Sequence, residues 1–318
     1  MVDVPSHLPG PAVALVGTTA SGKSALALEV ARAWPDVELV TIDSMQVYRG
    51  MDIGTASPTP AERAEVPHHL VDVADPWEEW SLARFQAAAT DVLADIAARG
   101  RRAVLVGGTG LYLRAVIDGL ALPGQHPEVR AELEAEPDTR ALHRRLADLD
   151  PLAASRMEPD NRRRVVRALE VTLGSGRPFS SYGPGLESHP DTVPQVGIRL
   201  PTEVMAARIE ARYHAQVEAG FRAEVDALLA LDRPLSRTAA QALGYRELIA
   251  HRRGEMDLDQ ALDEAIRRTR RFARRQRSWF RRDPRITWFE AAADPAEVTA
   301  ALVAHVGRAL DAQETAGS

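Results

Sequence analysis

The chain has 318 residues, 45% of them apolar and 26% charged, the composition of a globular protein with a substantial core and room for two domains or one domain with an insertion. It contains no cysteine, which excludes disulfides and thiolate metal sites, and no run of eighteen apolar residues, so no membrane-spanning helix is expected. The net charge of −6 speaks on average against a polyanionic partner; the opening MVDVPSHLPG lacks the basic and apolar regions of a secretory leader, so a cytoplasmic protein is expected.

In chain order, the first third alternates strand and helix patterns. The apolar run 12–16 reads as a strand, and Lys23–Ala33 as a helix. Between them lies GTTASGKS: Gly17, Thr18, Thr19, Ala20, Ser21, Gly22, Lys23 and Ser24. This stretch fits G-x-x-x-x-G-K-[ST]: loop amides and a helix N-terminus cradle phosphate oxygens, the lysine adds positive charge, and the Ser24 hydroxyl reaches Mg2+. Of 39 Lys plus Arg residues in the chain, Lys23 is the only lysine. A compact point charge stands where one is wanted, and planar arginine forks serve elsewhere.

Residues 39–42 read as a second short strand that delivers Asp43 and Ser44 just past its carboxyl end. His68 and His69 are adjacent and lack a third ligand at helical spacing, so they are expected as hydrogen-bonded structural residues. Trp77 and Trp80 are expected to pack around a turn. Ser81 suits the N-cap of a helix whose apolar positions Leu82, Phe85, Ala89, Val92 and Ile96 step by three and four, with Gly100 placed to end it. Residues 103–106 follow as a third strand, running into Gly107, Gly108, Thr109 and Gly110 and a short helix. Such alternation implies a parallel sheet flanked by helices, with ligands at the carboxyl ends of the strands. In a doubly wound sheet Asp43, Thr109 and the phosphate loop would meet in one crevice. Both residue types also serve as plain turn or cap residues.

From about Leu122 to Pro190 the pattern changes to short helices, one starting at Asp150-Pro151 and one over 162–173 stopped by Gly174, followed by the irregular SGRPFSSYGPGLESHP. Residues 193–200 return as one more strand, and the remainder reads as mostly helical. The expected organisation is an α/β phosphate-loop core over 10–121 and 191–312, an all-helical insertion over 122–190, and flexible ends at 1–9 and 313–318. From Arg267 to Arg285 ten arginines stand against one acid, Asp283. Ile266, Thr269, Phe272, Ala273, Gln276 and Phe280 fall near one helical face, with Trp279 beside that stripe. An ordinary exposed helix mixes signs, so the cluster, Arg271, Arg274 and Arg275 in particular, points to contact with a polyanion.

These features leave two enzyme classes open. A kinase acting on a small molecule would need an aspartate past a strand for Mg2+, and only Asp43 is available. An enzyme acting on nucleic acid would use the arginine helix and the insertion. A non-catalytic nucleic-acid-binding module leaves the lone lysine in a phosphate loop unexplained.

The strings GTTASGKS, DSMQVYRGMDIGTASP, HHLVDVADPWEEWSLARF, VGGTGLYLRAVIDGL, RRRVVRALE, QALGYREL and TRRFARRQRSWFRR follow one another in the order and spacing of a known family. Over roughly residues 17–289 the chain resembles the bacterial tRNA dimethylallyltransferases, also called isopentenyl-tRNA transferases. The resemblance implies that the loop holds the diphosphate of dimethylallyl diphosphate, with Mg2+ as cofactor. The prenyl group would pass to the exocyclic amine of the adenosine on the 3′ side of the anticodon. It implies Asp43 as general base and Thr109 in the channel where amine and prenyl carbon meet. Contacts to the tRNA anticodon stem-loop would come from Asp43, Ser44, Met45, Gln46, Thr109, Arg130, Arg163, Arg164, Val165, Val166 and Arg167. The insertion would clamp that stem-loop around a flipped-out base. A monomer is the default expectation. The chain departs from the family pattern at Thr18, where proline is common, at Ser57 and Arg274, where lysine is, and at Glu158, where histidine precedes Pro159.

Overall fold

A parallel strand covered on both faces needs apolar side chains throughout, and all six residues of β1 (Ala12–Gly17) are buried. The computed structural model describes residues 8–182, 189 and 193–317. After β1 come α1 (Lys23–Ala33), β2 (Val37–Ile42), α2 (Pro60–Glu65), the two-residue β3 (His68–His69), α3 (Leu82–Ala98), β4 (Arg102–Gly107) and α4 (Gly110–Ile117). Four helices follow: α5 (Pro127–Ala135), α6 (Thr139–Leu149), α7 (Pro151–Ser155) and α8 (Arg162–Ser175). The chain then forms β5 (Gln195–Arg199), α9 (Thr202–Glu218), α10 (Phe221–Leu229), α11 (Arg237–Ala240), α12 (Tyr245–Arg252), α13 (Leu258–Phe280), β6 (Ile286–Glu290) and α14 (Thr299–Gly317).

The six strands lie in the order β3-β2-β4-β1-β5-β6, every neighbouring pair parallel. Successive side chains of β1 point to opposite faces. Val13 and Leu15 join Leu26 and Val30 of α1 with Leu302, Val306 and Leu310 of α14. Ala12, Ala14 and Val16 face the larger core, which includes Phe85 and Ile96 of α3 and Ala273 and Phe280 of α13. The expected parallel sheet flanked by helices is therefore the fold observed.

Residues 119–182 pack as one compact unit, and residues 8–118 with 193–317 as another. The first has its own core of Leu133, Leu142, Leu146, Val165, Val166 and Leu169. Helices α6, α7 and α8 start where a side chain accepts from a free amide, that of Asp138, Asp150 and Asn161 in turn. Helix α8 runs past Gly174 to Ser175, and Gly176, at φ 69°, is its C-cap.

Several expectations needed correction. Strand β6 went unread because only Ile286 of its five residues is buried, so its sequence shows no alternation. Strand β3 has two residues, too few to carry a pattern. Residues 313–317, expected as a flexible end, continue α14, and the Gln313 amide donates to Ala12 O at 3.0 Å. Residues 1–7 of the other expected end, residues 183–188 and 190 of the irregular stretch, residues 191–192 that follow it, and residue 318 lie outside the described residues. His68 meets Val66 O and His69 meets Glu38, each at 2.7 Å, as hydrogen-bonded structural histidines do. Trp80 is buried and Trp77 stacks under Arg233, in keeping with packing roles.

Candidate functional site

Strand register brings three loops to one edge of the sheet. Gly107 at the end of β4 is level with Ile42 of β2 on one side and with Val16 of β1 on the other. The phosphate loop, Asp43 and Thr109 therefore leave neighbouring strands at their carboxyl ends, where doubly wound sheets bind ligands.

The phosphate loop owes its shape to two residues in the left-handed region, Ala20 at φ 62° and Gly22 at φ 87°. Such reversals turn successive amides toward one point and build an anion nest. Gly22 also caps α1 without a side-chain bond, and the first turn carries no acid, so its free amides and positive dipole end stay available to an anion. The loop is braced from sequence-distant elements. Arg208 of α9 donates from Nε to Ala20 O at 2.9 Å, and Gln276 of α13 accepts from the Thr19 amide at 2.9 Å. Thr18 and Ser21 are buried, and Ser24 is exposed with a hydroxyl that has no partner among the described residues.

Lys23 reaches back to Thr18 O at 3.5 Å. Burial pushes its ammonium down to about 8, with Arg212 adding to the effect and Asp43 opposing it. Arg212, on α9, is itself pulled below its ordinary value by burial, and its Nε is buried without a partner. Two cations and one carboxylate thus share this edge of the sheet. A half-buried guanidinium and ammonium beside a single carboxylate favour an anionic ligand.

Asp43 accepts from the Met45 amide through Oδ1 at 2.8 Å, an Asx turn, and its other oxygen has no partner among the described residues. One carboxylate oxygen thus holds the turn and leaves the other oxygen open to a further partner. Thr109 occupies the N-cap of α4, yet its hydroxyl makes no capping bond and stays half-buried at the crevice. Ser44, Met45 and Gln46 follow Asp43, half-buried, and the Gln46 amide donates to Thr55 O at 3.1 Å and Ala56 O at 2.9 Å. That ties the Asp43 turn to the DIGTA loop. Glu224 of α10 holds the same loop by accepting from the amides of Asp52, Ile53 and Gly54 at 2.9, 2.7 and 3.1 Å.

Arg130, Arg163, Arg164, Val165, Val166 and Arg167 belong to the helical unit. Arg163 and Arg164 are exposed at the start of α8 with side chains free of partners among the described residues. Arg130 and Arg167 both bond the buried carboxylate of Glu170, at 3.3 and 2.7 Å. Val165 and Val166 are 0% and 2% exposed and line that unit's core, so their side chains are closed to any contact with RNA. Their neighbours' helical phase, not the motif, decides this.

The arginine run also differs from expectation, because acids from other elements, from the N-terminal half of its own helix and from Asp283 reach it. Arg268 pairs with Glu247, Arg270 with Glu210, Arg267 and Arg271 with Glu264, and Arg285 with Asp118 and Asp283. Arg274, Arg275, Arg281 and Arg282 are exposed and without a carboxylate partner among the described residues. The charge left without a carboxylate partner among the described residues is thus narrower than the run of ten arginines suggests.

Sequence reasoning missed Arg208, Arg212 and Glu224. They sit on helices whose charges look like an ordinary solvated face, and no local signal marks them. Gln276 did carry a signal, being a polar residue on an otherwise mostly apolar stripe.

A family model described as IPP transferase matches residues 46–283, a span that begins beyond the phosphate loop. A Kineococcus radiotolerans protein named tRNA dimethylallyltransferase is 51% identical over 290 residues, covering 88% of this chain and 91% of that one. One of the same name from Streptomyces coelicolor is 47% identical over 304 residues, covering 94% and 97%. Among solved structures, the full-length tRNA isopentenylpyrophosphate transferase of Bacillus halodurans superposes with a TM-score of 0.70 at 36% identity, over 96% of this chain and 99% of that one. A eukaryotic dimethylallyltransferase acting on tRNA shares the fold, with a TM-score of 0.75 at 22% identity over 94% and 77%.

Proposed function

The chain belongs to the IPP transferase family of tRNA dimethylallyltransferases, and from that premise we propose that it transfers a dimethylallyl group from dimethylallyl diphosphate to tRNA. The acceptor is the exocyclic amine of the adenosine on the 3′ side of the anticodon, and the product is isopentenyladenosine. The observation that carries this reading is that an anion nest, a carboxylate oxygen and a hydroxyl, the last two without a partner among the described residues, stand at three adjacent strand ends.

The adenine amine is a poor nucleophile because its lone pair is delocalised into the ring, so the electrophile must be activated. The loop amides, Lys23 and Arg212 receive the diphosphate and stabilise its charge as the allylic C–O bond breaks. Ser24, an exposed hydroxyl at the start of α1, is a hard oxygen donor suited to Mg2+, which when bound supplies further neutralisation of the leaving group. Asp43 accepts the amine proton as the new C–N bond forms; the amine becomes acidic only as it bonds, so the carboxylate needs no raised pKa. Thr109 lines the meeting point of amine and allylic carbon.

In this reading the unit of residues 119–182 clamps the anticodon stem-loop, with Arg163 and Arg164 on its exposed face. Gln46 and the unpaired arginines of α13 add RNA contacts. No helix among the described residues is long and apolar enough to cross a membrane. The enzyme is proposed to act as a cytoplasmic monomer.

The relatives favour this reading over a small-molecule kinase. The test is incubation of the purified protein with Mg2+ and unmodified tRNA, in parallel with radiolabelled dimethylallyl diphosphate or γ-labelled ATP. Label entering tRNA from the prenyl donor is the expected result. ATP consumption without prenyl transfer would make the loop a nucleotide site and overturn the proposal.

A further inference from the structure

We infer that Gln276 is a positioning residue that sets the spacing between the diphosphate loop and the loop bearing Thr109. The inference rests on the prenyl-transfer reading above. Gln276 projects from α13 with its side chain buried between the two loops. Its Oε1 accepts from the Thr19 amide at 2.9 Å, and its Nε2 donates to Gly108 O at 2.8 Å. One planar group thus joins the loop after β1 to the loop after β4.

The amide orientation follows from its partners, since the Thr19 N–H requires an acceptor and the Gly108 carbonyl a donor. No carboxylate or apolar side chain of this shape offers both at neutral pH. Space is as restricted as bonding: a Cβ on Gly108 would come 2.4 Å from Gln276 Nε2 and 3.0 Å from Gly17 O. The Gly108 backbone can approach the bridge only because it carries no side chain.

In the proposed reaction the leaving diphosphate sits on one of these loops and the attacking amine passes Thr109 on the other. Their separation decides whether amine and allylic carbon reach bonding distance, and displacement of about 1 Å in such geometry costs roughly a hundredfold in rate. Gln276 touches no reacting atom in this account and acts through the two loops.

The test uses the full-length enzyme with Gln276→Met and Gln276→Glu. Gln276→Met keeps the volume and loses both hydrogen bonds. It is expected to lower kcat roughly tenfold to a hundredfold at saturating tRNA and dimethylallyl diphosphate, and to change diphosphate affinity less than about tenfold. Gln276→Glu supplies the rescue. As a neutral acid it offers the same acceptor and donor, and as a carboxylate only acceptors. Its kcat relative to wild type at the same pH should therefore rise as pH is lowered. Among the described residues the Gln276 amide bonds to backbone groups that do not titrate. The loops and helices that meet there also carry Lys23, Asp43, Arg208, Arg212 and, on α13 itself, Arg275 and Arg277, so the ratio of Gln276→Met to wild type over the same pH range serves as the uncharged control and should stay flat. Wild-type kcat in Gln276→Met, or a ratio for Gln276→Glu flat with pH, would overturn the inference. Wild-type enzyme that binds no inorganic diphosphate by calorimetry would instead overturn the reading of the loop, a failure distinct from that of Gln276.

Discussion

Lys23 is placed at a cost to the empty protein, and Lys23→Met exposes that cost. The gap between the ordinary value of 10.5 and about 8 corresponds to roughly 3 kcal/mol against the charged form. A lysine stem can swing its ammonium toward water, so the measurable penalty is about 1–2 kcal/mol. Methionine fills similar volume without charge, so Lys23→Met should be more stable than wild type by about that amount at pH 7 in urea denaturation without ligand. The sign with pH follows from linkage. Between about 8 and 10.5 the unfolded lysine holds a proton that the folded one has lost, so wild-type stability gains as pH rises through that window. The advantage of the variant is full below about 8 and vanishes near 10.5. Saturating diphosphate should reverse the order, adding about 2.7 kcal/mol to wild type at a hundredfold excess over its dissociation constant and nearly nothing to the variant. A variant less stable than wild type at pH 7, or an advantage constant with pH, would refute burial as the source of the depressed lysine.

Asp43→Ala should leave tRNA affinity nearly intact and slow prenyl transfer at least a hundredfold in single-turnover assays; normal turnover would remove Asp43 as the base. Neutralising Arg274 and Arg275 to glutamine should weaken tRNA binding and lower the slope of log affinity against log salt by about one to two. Arg271→Gln should do much less, because that side chain already faces Glu264; an equal effect from Arg271 would show that pairing in the free protein does not matter. Glu224→Ala removes the acceptor for three amides of the DIGTA loop and should cost about 2–4 kcal/mol of stability while raising the apparent KM for tRNA, with thermal unfolding and steady-state kinetics as the readouts. Arg212→Gln should weaken inorganic diphosphate binding about tenfold or more by calorimetry, and an unchanged constant would place the guanidinium outside the anion site.

Much of the sheet edge that carries the candidate site was legible from local chemistry. A glycine-bounded loop between an apolar run and a helix specifies its own backbone, because left-handed residues, free helix amides and a lone lysine act within eight positions. Strand ends at Asp43 and Thr109 could be read for the same reason: a parallel strand covered on both faces is an unbroken apolar run, and its stop is visible. The Ser81 cap and the three-and-four spacing of α3 belong to the same class of short-range signal.

What the tertiary structure alone decided depends on long-range pairing. Which acids neutralise Arg270, Arg268 and Arg285 is set by Glu210, Glu247 and Asp118, residues remote in the chain from the arginines they meet. Burial of Val165 and Val166 follows from how α8 packs, although the motif around them reads as a contact segment. Arg208, Arg212 and Gln276 reach the phosphate loop because α9 and α13 cross the same sheet edge. By itself the chain determined the strands that are unbroken apolar runs, the phosphate loop and the residues at those strand ends, since those follow from neighbours in sequence. Folding decided the bracing of that loop and the charges left facing solvent, because packing and electrostatics act through space.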